Sequence, residues 1–97
     1  MFSEDLLSKL EVILWVERLG IMVLACVLVC CEPGKYSEVA RKIREIKGVA
    51  RAFSTSGRWD VVAEVEVADL KALTDVALKI NGLSGVRATE TLVEAAV

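Results

Sequence analysis

The chain has 97 residues, enough for one domain, with 55% apolar residues and a formal net charge of −2. An acidic balance (pI about 5.1) argues against the clustered basic surface that a nucleic-acid reader needs. The absence of histidine removes the commonest general base and the commonest transition-metal ligand, and a mean hydropathy of +0.52 leaves apolar surface for a second subunit to cover.

Residues 1–20 read as a helix. Ser3 is placed to cap it, Glu4 and Asp5 suit its positive end, Phe2 and Leu7 stand at staple spacing, and Gly20 can end it. Leu6, Leu7, Leu10, Ile13 and Leu14 make one apolar stripe; Val12, Trp15, Val16 and Leu19 make another. A helix apolar on two sides needs cover on two sides, so the segment is expected to pack on the domain and on a neighbour. Glu11, Glu17, Arg18 and Gly20 interrupt the apolar stretch 10–31, so no membrane span is expected there. Met22 opens a unit that is self-sufficient, which sets 1–20 apart as an N-terminal extension and 21–97 as the domain. A product that starts at Met22 is the alternative.

Residues 21–32 form a continuous apolar run whose length and Val/Leu/Ile content predict a central strand buried on both faces. Its cysteines, Cys26, Cys30 and Cys31, cannot converge on a metal within one chain. Cys26 and Cys30 share a face but lie about 13 Å apart along a strand, and Cys31 points the other way. They read as buried reduced thiols, which fits a cytoplasmic protein. Pro33-Gly34 turns the chain. Tyr36, Val39, Ala40, Ile43 and Ile46 then fall at helical spacing, and Gly48 stops the helix. Val49, Arg51 and Phe53 alternate with Ala50 and Ala52 in a second strand.

Residues 54–58 predict a turn. A third strand follows, with Val61, Ala63, Val65 and Val67 on one face and Asp60, Val62, Glu64 and Glu66 on the other. Asp69 caps a second helix whose apolar residues are Leu70, Leu73, Val76, Ala77 and Ile80, and Asn81-Gly82 closes it. A last strand runs from Gly85 or Val86 to about Glu94. Lys47-Gly48-Val49-Ala50-Arg51-Ala52 returns as Ser84-Gly85-Val86-Arg87-Ala88-Thr89, so one strand–helix–strand unit occurs twice. The expected fold is α+β, a ferredoxin-like βαββαβ sandwich with an extra N-terminal helix. Two helices on one face of the sheet leave the other face open, and a second copy laid sheet to sheet, forming a dimeric α+β barrel, is its expected cover.

Laid out this way, residues 22–93 resemble the effector-binding (RAM) domain of the leucine-responsive/AsnC family of regulators. Four signatures carry the resemblance: an apolar strand ending in Glu32-Pro33-Gly34-Lys35; Gly48-Val49 after the first helix; Thr55-Ser56-Gly57-Arg58-Trp59-Asp60; and Gly85-Val86-Arg87 with Thr89-Glu90-Thr91. Full-length members carry an N-terminal winged helix-turn-helix, which twenty residues cannot hold. The resemblance therefore implies a stand-alone RAM protein that binds no DNA itself. It further implies sheet-to-sheet dimers that assemble into octameric or decameric rings, and full-length Lrp/AsnC regulators as partners.

The resemblance also places an amino-acid effector near the turn between the second and third strands. The residues there suit it. Gly57 permits a tight turn that bares N–H groups for a carboxylate, together with Ser56. Asp60 can accept from an α-ammonium group, Trp59 offers an apolar wall, Arg58 adds a carboxylate contact or favours an acidic ligand, and Thr89 and Thr91 supply hydroxyls. Each has a plainer role: a turn glycine, a carboxylate bonded to local backbone or to Arg58, a packing tryptophan, and threonines that simply favour strands. No cofactor, metal site or catalytic set is expected. The function read from these residues is an amino-acid-binding and oligomerisation module that modulates transcription regulators. The alternatives are a purely structural assembly module and a small cofactorless dimeric α+β barrel enzyme.

Overall fold

The apolar run after Met22 becomes the second-from-edge strand of a four-stranded antiparallel sheet in a computed structural model that describes residues 23–95. The elements are β1 (Val23–Cys31), α1 (Tyr36–Arg44), β2 (Val49–Ser54), β3 (Val61–Val67), α2 (Leu70–Asn81) and β4 (Val86–Val93), with strand order β2-β3-β1-β4. This is the expected ferredoxin-like α+β fold. The N-terminal helix read at 1–20 and the first residues of the apolar run lie outside the described residues.

Residues opposite one another in a ladder share a sheet face. Val27 stands between Ala63 and Thr91, and Val29 between Val61 and Thr89. These positions face the helices, and with Val39, Ile43, Val65 and Ile80 they form the core. The opposite face carries Leu24, Cys26, Leu28 and Cys30, all half-buried. The expectation that β1 is buried on both faces therefore holds on one side only. The helices cover Ala25, Val27, Val29 and Cys31, and among the described residues nothing covers the alternate set. The same reason corrects the reading of three buried cysteines: only Cys31 is buried.

The turns follow from local chemistry. Pro33 and Gly34 occupy the middle of a turn closed by Lys35 N–H donating to Glu32 O at 3.0 Å, with Gly34 at φ +78°. The Asp69 side chain accepts Ala72 N–H at 2.8 Å and caps α2, as its sequence predicts. Leu70, read as a core residue, is 63% exposed because the first turn of α2 precedes its contact with the sheet. Tyr36 is exposed for the same reason at the start of α1, and Ile46 lies beyond the end of that helix.

Strict alternation in β2 fails at one point. A bulge between Val49 and Arg51 sets Val49 opposite Val65, on the helix side, and Arg51 opposite Glu64, on the open side. The bulge lets Val49 join the core while Arg51 pairs with Glu64 at 3.9 Å and lies over the Phe53 ring, 4.7 Å from its centroid. No helix among the described residues is long and apolar enough to cross a membrane.

Candidate functional site

The β2–β3 turn is held by four hydrogen bonds. Thr55 N–H donates to Asp60 O at 2.9 Å, and the Thr55 hydroxyl donates to Trp59 O at 2.6 Å. Asp60 N–H donates to Val29 O at 2.8 Å, and Cys31 N–H donates to the Asp60 carboxylate Oδ2 at 2.7 Å. The ladder between β1 and β3 ends at the Val29–Val61 pair. Beyond it the Asp60 carboxylate replaces the missing main-chain acceptor for Cys31. The plainer reading of Asp60 as a backbone-bonding carboxylate is thus realised, but across the sheet and not locally. Arg58 makes no ion pair with it; its guanidinium lies 6.0 Å from the Trp59 ring centroid.

Between these anchors the chain is open. Gly57 sits at φ +127°, a conformation that favours glycine, with nothing within 4 Å of where a Cβ would stand. Ser56, Gly57 and Arg58 are exposed, and their N–H groups donate to no protein acceptor among the described residues. Successive unpaired N–H groups on a turn form a concave donor set suited to a carboxylate. Trp59 and Asp60 are half-buried beside them, and Asp60 Oδ1 takes no hydrogen bond among the described residues.

The two threonines are not brought to this turn within one chain. Thr89 and Thr91 share a strand face, as expected, and it is the helix face, opposite Val29 and Val27. The Thr89 hydroxyl lies 3.4 Å from Asn81 Oδ1 at the end of α2. β1 stands between β4 and the strand that leaves the turn, which separates the two groups by about 10 Å at ordinary strand spacing. Among the described residues no group of three His, Cys, Asp or Glu side chains is placed to hold a metal.

Three participants are not evident from the sequence. The N–H of Cys31 and the carbonyl of Val29 are backbone groups, and only the topology brings them to Asp60. The Thr55 hydroxyl belongs to the turn motif, but residue type alone assigns it no role; the structure shows it closing the turn on the Trp59 carbonyl four residues on. Burial pushes the Cys31 thiol above its ordinary value of 9.0, with the Asp60 carboxylate and then Cys30 adding to the effect.

Residues 24–94 match the family described as the Lrp/AsnC ligand binding domain. The HTH-type transcriptional regulator FL11 of Pyrococcus horikoshii is 30% identical over 91 residues, which span 94% of this chain and 60% of the regulator. The chain thus spans about 60% of the length of the curated relatives it matches. The crystal structure of TTHA0845 from Thermus thermophilus is 33% identical, with a TM-score of 0.73 over 77% of this chain and 95% of that one. The feast or famine regulatory protein Rv3291c from M. tuberculosis, complexed with L-methionine, shares the fold at 24% identity, with a TM-score of 0.68 over 84% of this chain and 55% of that one. The chain belongs to the Lrp/AsnC ligand-binding-domain family.

Proposed function

We propose that this chain is an amino-acid-responsive assembly module: an amino acid binds at the Ser56–Asp60 turn and shifts how copies of the chain associate through the open sheet face. The observation that carries the reading is the Asp60–Cys31 hydrogen bond. It fastens the exposed donor set of the turn to the strand whose alternate residues, Leu24, Cys26, Leu28 and Cys30, form the centre of that face. Half-buried apolar residues in the middle of a sheet favour a second sheet packed over them. Two copies joined in this way give a dimeric α+β barrel, and dimers joined at their turns give a ring of eight or ten.

In this reading the free N–H groups of Ser56, Gly57 and Arg58 hold the effector's carboxylate. Asp60 Oδ1 takes its ammonium group, and Trp59 walls its side chain. Thr89 and Thr91 act from a neighbouring copy, since within one chain β1 stands in the way. The family membership and the L-methionine complex of the M. tuberculosis relative support an amino acid as the ligand class. The module works in the cytoplasm, catalyses nothing, and acts on full-length Lrp/AsnC regulators by co-assembly rather than by touching DNA. A ligand can shift an assembly only by its preference for one state over another, so the effector must bind one association state more tightly.

A thermal-shift screen against the twenty amino acids tests this reading. A ligand at a hundred times its Kd adds about 2.7 kcal/mol, several degrees for a domain of this size. Gly57→Val, which cannot adopt φ +127° without strain, is expected to abolish the shift. A shift that survives Gly57→Val removes the turn as the site. No shift with any amino acid leaves the structural assembly reading in its place.

A further inference from the structure

The open sheet face is apolar along its middle and acidic around it. Leu24, Cys26, Leu28 and Cys30 run down the middle on β1. The ladders set Leu28 between Val62 and Glu90, Cys26 between Glu64 and Leu92, and Leu24 opposite Glu66. Glu94 completes that last row, its N–H donating to Leu24 O at 2.9 Å. The rows of this face thus carry four carboxylates, at Glu64, Glu66, Glu90 and Glu94, and one guanidinium, at Arg51 opposite Glu64. Their net charge of −3 is more negative than the −2 of the whole chain. Basic residues gather instead in the last turn of α1, at Arg41, Lys42 and Arg44.

A second copy of the same face matches this pattern only in part. The apolar middles would pack, but two guanidiniums would then meet eight carboxylates across sheets about 10 Å apart. Arg51 already pairs with Glu64 in its own chain, and among the described residues Glu66, Glu90 and Glu94 make no ion pair. Charges enclosed between sheets are screened less than exposed ones, so the excess weakens self-pairing. A partner with lysine or arginine in its outer rows gains where a second copy loses, and such a difference is how an interface selects among similar partners. The face also offers those side chains a seat. A hollow of about 500 Å³ lies at the start of β1, floored by Leu24, Cys26 and Leu92 and edged by Glu64, Glu66 and Glu94. A lysine or arginine can lay its aliphatic stem on that floor and hold its charged head among the carboxylates.

We propose that the open face pairs more tightly with another chain of the same fold than with a second copy of this one. The preferred partner is a sheet that is apolar at its middle and carries lysine or arginine opposite Glu66, Glu90 and Glu94. The proposal rests on the reading of this face as an interface and adds to it the charge of the partner. Two copies of this chain still pair through Leu24, Cys26 and Leu28, but more weakly.

The test uses a variant of the full chain as the basic partner. Glu66→Lys/Glu90→Lys/Glu94→Lys, labelled with ¹⁵N, keeps the shape of the face and reverses its three exposed carboxylates. It is mixed in equal amounts with the wild-type chain, and the dimers are resolved by native mass spectrometry. The ratio of mixed to self-paired dimers should exceed its statistical value of about one by roughly tenfold or more. It should fall back as ammonium acetate is raised from about 0.05 M to about 0.5 M. Leu28→Asp in both chains should abolish mixed and self-paired dimers alike. Glu66→Gln/Glu90→Gln/Glu94→Gln, which removes the charges without reversing them, should self-associate roughly tenfold more tightly than wild type in sedimentation equilibrium; it decides the matter should the lysine variant fail to fold. A statistical mixture, a preference that survives Leu28→Asp, or unchanged self-association of the glutamine variant each overturns the proposal. Where wild type dimerises and Leu28→Asp prevents it, such a failure leaves the face standing as an interface. A monomer in every mixture overturns both readings.

Discussion

Asp60 and Cys31 are joined by a hydrogen bond of 2.7 Å, from the main-chain N–H of Cys31 to the carboxylate of Asp60, across two neighbouring strands. Removing the acceptor leaves a donor at a buried residue without a partner, which costs about 1–3 kcal/mol. Asp60→Ala is therefore expected to lower the urea midpoint even with no ligand present, and Asp60→Asn, which keeps an acceptor, to lower it less. An unchanged midpoint in Asp60→Ala would show that the clamp contributes nothing.

Gly48 and Gly57 both adopt positive φ, but in different surroundings. A Cβ on Gly57 meets open space, so Gly57→Ala costs only the backbone strain, about 1–3 kcal/mol. At Gly48 the same Cβ would also stand 3.0 Å from both Val67 and Val76. Gly48→Ala is expected to be the more destabilising of the two by about 1–3 kcal/mol, the range for an overpacked core. Chemical denaturation of the two variants side by side checks this order.

The Cys31 thiol gives a pH dependence of known sign. Its folded value is raised above the ordinary 9.0, mainly by burial, so the folded chain holds this proton more tightly than the unfolded chain does. That stabilisation is complete below the unfolded value and is lost as pH rises through the folded one. Stability should therefore fall on going from neutral pH to beyond 9, and Cys31→Ala should flatten that decline. Denaturation midpoints taken across this range for both proteins make the comparison, and parallel curves would contradict it.

Leu28 lies at the middle of the open face, opposite Val62 on one side and Glu90 on the other. A charge there would face the second sheet of a dimer without a partner. Leu28→Asp is expected to sediment as a monomer with an unchanged far-ultraviolet spectrum. A variant that keeps the wild-type mass would move the interface elsewhere.

Much of this architecture is legible in the residues because its periodicities are strong. The alternation through Val61, Ala63 and Val65 and the Asp69 cap each express a local rule, and the structure realises them where the sequence places them. The bulge at Val49–Arg51 is invisible to that reading, since it arises where a valine competes for the core and the next polar residue for the open face. The face of β1 that no described residue covers is equally invisible to that reading. A continuous apolar run says that both faces want cover, but not what provides it. At the turn, residue types suggest a carboxylate-binding loop, and the geometry presents its free N–H groups. That Thr89 and Thr91 lie beyond β1 is a property of strand order, which no local pattern encodes.

The central claim, that an amino acid at the turn governs association through the open face, is tested most directly by sedimentation velocity of the full chain at micromolar concentration, alone and with each of the twenty amino acids. The account predicts a species that contains an even number of copies and a redistribution among such species with at least one amino acid. A monomer under all conditions, or one unchanging distribution across all twenty, would contradict it.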